Sequence, residues 1–283
     1  MKIVITGASG FIGSHLIKHL SDIESIKVIP LSRKEIPNLI RVSDYGSAPT
    51  GDVLIHLAED NNLKSVASQS LLYENKVLLT LEKLLAKNFK RTIYTSSSIL
   101  YGDKSITPHS TNDDVFLNTP YSRIKRLAES AVLEHPSGMV IRIANVYGPL
   151  MSANNVMSHI LNQISQKGDL EVEDMTPIRD FIWVRDLVEG ISKLALMDLA
   201  EVSKPKIYNL GSGVGTSVGD LALLTLELAG QAERRVVSKN LTRIASNIVL
   251  DNSETTSACG WIPRTSLRQG VENLLISKLR SES

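Results

Sequence analysis

A tyrosine and a lysine stand four residues apart in the segment TPYSRIKRLAES, at 119–130. Thr119 and Pro120 form a rigid entry to a helix that we expect to start near Tyr121, and residues four apart lie one turn from each other on a helix. A phenol has a reference pKa of about 10, so it exchanges protons near neutral pH only if that pKa falls by roughly three units. The ammonium of Lys125 has the charge that stabilises a phenolate. The pair is therefore a candidate for proton transfer.

The same spacing has a structural interpretation. Lys125 can form an ion pair with Glu129 one turn further along the helix, which leaves Tyr121 at the edge of an apolar stripe. The stripe consists of Ile124, Leu127, Ala128 and Ala131. Because Tyr-x-x-x-Lys is a loose pattern, the spacing alone favours this second interpretation, and other motifs must decide.

Three consecutive serines, Ser96 to Ser98, stand in YTSSSILYG at 94–102, where the predicted strand TIYTSS at 92–97 ends. If this segment is a central strand, a hydroxyl at its carboxyl end can hold a substrate oxygen beside Tyr121. The alternative is that the serines cap a turn.

A glycine turn, TGASGFIGSHL at 6–16, follows the first apolar segment and opens a predicted helix. Gly7 permits a tight turn, Gly10 lets a pyrophosphate approach the backbone, and Gly13 lets the helix pack closely on the strand. The free N–H groups at the start of the helix then attract phosphates. The pattern predicts a dinucleotide site rather than a plain strand-to-helix turn.

The end of the second predicted strand, LSRKE at 31–35, indicates which dinucleotide binds. An acidic residue there would bind the ribose 2′-OH of NAD, whereas Ser32 and Arg33 suit the 2′-phosphate of NADP. We therefore expect NADP, with NAD as the alternative if Glu35 is a displaced carboxylate in a solvated basic turn. Asp44 is a candidate to bind the adenine amino group, or else a turn residue.

Strand-like segments alternate with helical patterns through most of the chain, which predicts an α/β fold with a doubly wound parallel sheet. The predicted strands are 2–6, 27–31, 53–58, 92–97, 139–144 and 206–210. The predicted helices are 12–20, 66–87, 121–134, 218–230 and 267–280. We assign 1–148 with 178–212 to a Rossmann-like dinucleotide domain, and 149–177 with 213–283 to a small discontinuous substrate lobe.

Composition excludes several classes of function. The net charge of +1, from 31 basic and 30 acidic residues, does not suggest binding to nucleic acid. No apolar run approaches the roughly 20 residues of a membrane helix, and the single cysteine, Cys259, fits a reducing compartment. His15 and His19 have no third ligand nearby, so no metal site is predicted. We expect a soluble, cytoplasmic protein.

Taken in order, these motifs resemble the extended short-chain dehydrogenase/reductases, a family that includes nucleotide-sugar epimerases, dehydratases and ketoreductases. The resemblance covers essentially the whole chain. Its segments are TGASGFIG (6–13), HLAE (56–59), Asn75 in a helix, SSSILYG (96–102), YSRIK (121–125), RIANVYGP (142–149), RDFIWVRDL (179–187) and YNLGSG (208–213).

The resemblance implies a role for each matching residue. Ser97 would be the catalytic hydroxyl, Tyr121 the proton donor or acceptor, and Lys125 would lower the pKa of Tyr121 and hold the nicotinamide ribose. Ser98, Asn145 and Arg179 would lie at the substrate, although Arg179 could instead pair with Asp180. The expected cofactor contacts are Gly7, Gly10, Phe11, Ile12, Gly13, Ser32, Arg33, Asp44, Leu57, Ala58, Tyr121 and Lys125.

Departures from the family pattern reduce the number of reactions that the chain is expected to catalyse. The 4,6-dehydratases have Asp-Glu after the catalytic hydroxyl, but this chain has Ser98 and Ile99, which argues against water elimination. Glu59 stands where the family has a small residue. The resemblance implies an NAD(P)-dependent oxidoreductase that acts on a nucleotide-activated sugar, and among the reactions of the family we favour one of the 4-ketoreductase type. The alternatives are a UDP-hexose-type 4-epimerase and, more remotely, a cofactor-sensing protein without turnover. A homodimer through helices 66–87 and 121–134 is also implied.

Overall fold

The computed structural model describes residues 1–60, 63–198, 207–240 and 246–282. The strands in chain order are β1 (Lys2–Thr6), β2 (Lys27–Ser32), β3 (Ile40–Arg41), β4 (Val53–His56), β5 (Arg91–Ser97), β6 (Gly138–Ile143), β7 (Asn145–Tyr147), β8 (Leu170–Val172), β9 (Ile178–Trp183), β10 (Ile207–Leu210), β11 (Gly215–Ser217), β12 (Val236–Ser238) and β13 (Asn247–Ile248).

Helices connect most of these strands. In chain order they are α1 (Phe11–Ser21), α2 (Leu63–Ser68), α3 (Ser70–Leu85), α4 (Pro120–Glu134), α5 (Val156–Asn162), α6 (Val184–Leu196), α7 (Val218–Leu228), α8 (Ser253–Cys259) and α9 (Leu267–Glu282). Two short 3₁₀ helices, Tyr45–Ser47 and Ser98–Tyr101, follow β3 and β5.

The central sheet has seven parallel strands in the order β10-β6-β5-β4-β1-β2-β3. The strand order therefore reverses between β1 and β4, and open α/β sheets bind ligands in the crevice at such a reversal. The predicted doubly wound, Rossmann-like sheet is confirmed.

Helices cover both faces of this sheet. On one face, α1 and α6 contribute Leu16 and Ile191 to the largest apolar core, which they share with Ile5 of β1. On the other face, α3 and α4 bury Leu81 and Ile124. The strands between them are buried on both faces, which explains why they appear in the sequence as continuous apolar runs.

A separate apolar core lies where the substrate lobe was predicted. It joins α5, β8, α7 and α9 to side chains of β7 and β9, among them Leu161, Leu221, Val271, Phe181 and Trp183. This core is consistent with the proposed division into two parts, which stays a prediction. Strand β9 is the connecting element because β7, β11 and β13 all pair with it.

Several elements differ from those predicted. The helix expected at 66–87 is divided into α2 and α3 at Gln69, whose backbone is not helical (φ −112°, ψ 9°). Serines flank this break in the sequence, and serine competes with helical hydrogen bonding. Strands β12 and β13 were missed because two or three residues are too few to show an alternating pattern.

Within the described ranges, no helix combines the length and the apolar character needed to cross a bilayer. The same residues contain no group of three or more His, Cys, Asp or Glu side chains arranged to hold a metal ion.

Candidate active site

A capping box fixes the start of α4 and, with it, the position of Tyr121. The hydroxyl of Thr119 accepts a hydrogen bond from the Ser122 amide at 3.1 Å, and the Thr119 amide donates to the Ser122 hydroxyl at 3.1 Å. Pro120 occupies the first turn, where its missing N–H costs no hydrogen bond. Tyr121 therefore sits in a rigid first turn, where the helix dipole favours negative charge.

A buried ion pair holds α4 against β6. Arg142 donates to both carboxylate oxygens of Glu129, at 3.0 and 2.8 Å, and both side chains are almost fully buried. This bidentate contact occupies Glu129 and directs it away from Lys125. The structural interpretation of the Tyr121–Lys125 spacing, in which Lys125 pairs with Glu129, is therefore wrong.

Lys125 is instead bound on the sheet side of α4. Its ammonium lies 2.7 Å from Oε2 of Glu59 and donates a 2.8 Å hydrogen bond to the Thr95 carbonyl of β5. It also lies 4.8 Å from the ring centre of Tyr94 and 5.8 Å from that of Tyr121. Burial alone would lower the pKa of Lys125, but Glu59, with a smaller effect of Tyr121, raises it to about 12, so the ammonium stays charged.

Ser97 is the serine that reaches Tyr121. It is the last residue of β5, and its hydroxyl accepts a hydrogen bond from the Ile99 amide at 3.3 Å. Hydrogen bonding from Ser97 lowers the pKa of Tyr121, so the two hydroxyls are neighbours. Ser96 and Ser98 are both buried, and the Ser96 hydroxyl has no hydrogen-bond partner among the described residues. Of the three serines, Ser97 is the half-buried one that neighbours Tyr121, and its role as the catalytic hydroxyl stays a prediction.

The pKa of Tyr121 is raised, whereas the sequence led us to expect that Lys125 lowers it. Burial raises it above its ordinary value of 10, and Lys125 lowers it, but the charge of Glu59 raises it again. The net effect is a raised pKa, because burial outweighs the effect of Lys125, which Glu59 partly cancels. In the free protein, Tyr121 is therefore a phenol at neutral pH.

The glycine turn has the shape that a pyrophosphate needs. Gly7 has a positive φ of 72°, and a side chain there would lie 2.8 Å from the backbone of Leu57 and 2.9 Å from that of Ala58. A side chain at Gly13 would lie 2.4 Å from the Gly7 carbonyl. Gly10 caps α1 without a side-chain hydrogen bond, so no side chain competes for the amides at the helix start. These features fit a dinucleotide.

The remaining predicted cofactor contacts surround this turn. Phe11 and Ile12 begin α1 and are half-buried. Leu57 and Ala58 follow β4, directly against Gly7, and are also half-buried. Glu59 comes next and contacts Lys125, so the chain after β4 links the glycine turn to the Tyr121 pair within a few residues.

The end of β2 presents a basic side chain beside the turn. Ser32 is fully buried, and its hydroxyl donates to Ser9 at 3.1 Å and accepts from the Lys34 amide at 2.9 Å, so it shapes the loop. Arg33 is exposed, lies 5.5 Å from the ring centre of Tyr45 and forms no salt bridge within the described residues. Glu35 pairs with Arg41 at 3.1 Å.

Asp44 lies after β3 and caps the first 3₁₀ helix. One oxygen accepts a hydrogen bond from the Gly46 amide at 3.2 Å, and the other pairs with Lys83 at 3.0 Å. The hydrogen bond to Lys83 lowers the pKa of Asp44, with the Gly46 amide acting in the same direction. Asp44 is half-buried, and its role as a partner of adenine stays a prediction.

Two of the three predicted substrate residues lie on β7 and β9, and the third, Ser98, begins the 3₁₀ helix after β5. Asn145 is exposed, and its amide contacts the Asp180 carbonyl at 3.4 Å. Arg179 donates to the hydroxyl and carbonyl of Ser246, at 2.8 and 3.1 Å. Asp180 instead accepts from Ser212, Gly213 and Leu250, so the alternative pairing of Arg179 with Asp180 is not formed.

Glu59 was not predicted as a functional residue, although the sequence contains a signal for it: a carboxylate in a position that the family fills with a small residue. Tyr94, whose hydroxyl donates to Glu59 at 2.9 Å, was also missed. Its position in an apolar strand gives no such signal.

Known proteins resemble this chain over most of its length. Residues 3–211 match the family model described as "NAD dependent epimerase/dehydratase family". UDP-glucuronic acid decarboxylase 6 of Arabidopsis thaliana is 27% identical over 302 residues, which cover 96% of this chain and 87% of that protein.

Two solved structures have the same fold over essentially the whole chain. UDP-glucose 4-epimerase of Thermotoga maritima, solved with UDP-glucose, superposes with a TM-score of 0.85 at 21% identity and covers 100% of both chains. RMD of Pseudomonas aeruginosa, solved with NADPH, gives a TM-score of 0.84 at 24% identity and covers 100% of this chain and 99% of that one.

Proposed function

This chain belongs to the NAD-dependent epimerase/dehydratase family, and from that premise we propose that it reduces a keto group, at the 4-position, of a nucleotide-activated sugar with NADPH. One observation carries the proposal: the Ser97 hydroxyl neighbours Tyr121, and the buried Lys125 ammonium lies 5.8 Å from its ring centre, while burial raises the pKa of the phenol. A protonated phenol suits reduction, because the reduced carbonyl oxygen must receive a proton.

The residues around the glycine turn would hold the cofactor. The amides at the start of α1 would bind its pyrophosphate, and Lys125 would hold its nicotinamide ribose. When bound, the reduced nicotinamide supplies the hydride. Leu57 and Ala58, whose backbone lies against Gly7, would close the other side of the crevice.

The protein's own residues supply orientation and the proton. The Ser97 hydroxyl would donate a hydrogen bond to the keto oxygen and orient it. The Tyr121 phenol would give its proton to the same oxygen as negative charge develops there. Lys125, charged and fixed between Glu59 and the Thr95 carbonyl, would then stabilise the tyrosinate.

The preference for NADPH is supported by the end of β2. Arg33 is exposed and has no carboxylate partner among the described residues, while Glu35 is paired with Arg41. An exposed guanidinium without a carboxylate partner can bind a 2′-phosphate with charge-assisted hydrogen bonds.

The substrate class is supported by the relatives, which act on or bind UDP-sugars according to their names. Asn145 and Arg179 would contact the nucleotide end of the substrate, and Ser98 would lie near the sugar. A UDP-hexose-type 4-epimerase is the second candidate, because the similar T. maritima protein has that activity. In that reaction, Tyr121 would first have to act as a base, which its raised pKa disfavours.

A single assay separates the two reactions. The purified protein is incubated with NADPH and a panel of 4-keto nucleotide sugars, and separately with the corresponding 4-hydroxy sugars without added cofactor. We expect stoichiometric loss of nicotinamide absorbance with a keto sugar. Interconversion of hydroxy epimers without net NADPH consumption, by protein that retains oxidised cofactor, would establish the epimerase instead.

We further propose that the protein is a homodimer. Leu72 and Leu79 are exposed on one stripe of α3, and Leu127 is exposed on α4 beside it. Between α3 and α4 lies a groove of about 650 Å³ lined mainly by apolar side chains. A second copy packing its α3 and α4 against the same helices would cover this surface.

We also propose a cytoplasmic location, because a single cysteine fits a reducing compartment.

A further inference from the structure

Glu59 places a buried carboxylate against the proton-transfer pair. It follows β4 by three residues, and its side chain is only 8% exposed. Oε2 lies 2.7 Å from the Lys125 ammonium and accepts a hydrogen bond from the Tyr94 hydroxyl at 2.9 Å. Within the part of the chain that the structure describes, Oε1 has no hydrogen-bond partner.

This contact changes the net charge beside Tyr121. Lys125 is 6% exposed at its side chain, so neither charge of the pair is well hydrated and each depends on the other. Without Glu59, an unpaired buried ammonium would face the phenol. With Glu59, the two charges sum to zero at short range, and the tyrosine is exposed to a much weaker positive field.

Among the described residues, other charged and titratable groups also surround Tyr121. Lys125 and the Ser97 hydroxyl lower the pKa of Tyr121, and Asp60 raises it. His56, at the end of β4, is neutral above pH 4 because burial lowers its pKa to about 4. Tyr94 and Tyr73 keep their protons, since burial raises the pKa of each. Glu59 is thus the negative group that directly pairs with Lys125.

We propose that Glu59 is a positioning residue that fixes Lys125 and neutralises its charge, so that Tyr121 retains its proton and serves as the acid in ketone reduction. The claim that Tyr121 acts as the acid rests on the proposed function. The claim that Glu59 neutralises the charge of Lys125 does not, and it can be measured without substrate or cofactor.

The test compares Glu59→Gln with Glu59→Asp. Gln keeps the size of the side chain and can still accept from Tyr94 and Lys125, but it removes the charge, whereas Asp keeps the charge. The ionisation of Tyr121 is read from near-ultraviolet phenolate absorbance in the free protein, as the difference between each variant and the same variant with Tyr121→Phe. The second readout is the pH profile of kcat/KM for ketone reduction.

We expect Glu59→Gln to move the titration of Tyr121 to lower pH, and to move the alkaline limb of the kcat/KM profile in the same direction. Glu59→Asp should leave the titration close to that of the wild type, even if kcat falls. If Glu59 had a purely structural role, Glu59→Gln would be tolerated better than Glu59→Asp, and the titration of Tyr121 would not change. A titration of Glu59→Gln that coincides with that of the wild type would overturn the proposal.

Two further results keep the test decisive. If Glu59→Gln does not fold, Glu59→Ala provides the same charge removal and leaves space for water beside Lys125, and the same shift to lower pH is expected. If the titration shifts but no sugar ketone is reduced, the charge neutralisation stands and the proposed function fails. If reduction occurs but the titration does not shift, Glu59 does not control Tyr121.

Discussion

The hydroxyl of Ser97, at the end of β5, neighbours the phenol of Tyr121, in the first turn of α4. The two residues are distant in sequence, so their contact depends on the packing of α4 along β5 and β6. The Arg142–Glu129 ion pair and the Thr119 capping box fix that packing. The site therefore depends on rigid elements on either side of the crevice, which is a requirement for precise proton transfer.

Removing the phenol oxygen tests the catalytic assignment. Tyr121→Phe should lower kcat by at least about 100-fold, because the proton donor is lost. NADPH affinity, measured by fluorescence titration, should change little, since the glycine turn is untouched. The matched control is Tyr208→Phe, which removes a phenol oxygen from β10 at the sheet edge. Equal activity of the two variants would contradict the role of Tyr121.

The basic end of β2 predicts a cofactor preference that one substitution should change. Arg33→Ala should raise the KM for NADPH about tenfold, by loss of charge-assisted hydrogen bonds to the 2′-phosphate, with little effect on NADH. Lys27→Ala, at the opposite end of the same strand, controls for the change in net charge. A similar loss for both cofactors with Arg33→Ala would show that Arg33 does not read the 2′-phosphate.

The sheet could be predicted from the sequence because strands buried on both faces appear as apolar runs separated by helical patterns. The short strands β12 and β13 could not be predicted, because pairing with distant strands rather than local pattern defines them. The helix break at Gln69 was missed because the flanking serines weaken a helix without marking where it ends. Ser97, Tyr121 and Lys125 were predicted from sequence motifs, and their catalytic roles stay predictions. The ion pair between Lys125 and Glu59 was not predicted, because it joins residues 66 positions apart. The raised pKa of Tyr121 was not predicted either, because it comes first from burial and then from the charge of Glu59, and neither can be seen in the spacing of Tyr121 and Lys125.

The groove between α3 and α4 predicts a change of oligomeric state on substitution. Leu79 is 56% exposed and lines the groove, so Leu79→Glu should place a charge in the proposed dimer interface and yield a monomer of 31.0 kDa. Light scattering after gel filtration measures the mass. Leu223→Glu, at a leucine 52% exposed on α7, is the control and should leave the mass unchanged. A wild-type protein that is already monomeric would contradict the dimer.

Burial of His56 predicts how stability depends on pH. Its ring is hydrogen-bonded to the Thr6 hydroxyl at 2.7 Å, and burial lowers its pKa from 6.5 to about 4. Between these two pH values the unfolded chain binds more protons at His56 than the folded protein does, so the free energy of unfolding falls as the pH falls through this window. A depression of this size corresponds to about 3 kcal/mol lost between neutral pH and pH 4.

Urea denaturation at a series of pH values isolates this contribution. His56→Gln cannot titrate, so its free energy of unfolding should fall less steeply from pH 6.5 to pH 4 than that of the wild type, whatever its stability at neutral pH. His159→Gln, at an exposed histidine of α5, should keep the wild-type slope. Identical slopes for wild type and His56→Gln would mean that the folded protein accepts a proton at His56, and that the end of β4 beside the glycine turn is open to water.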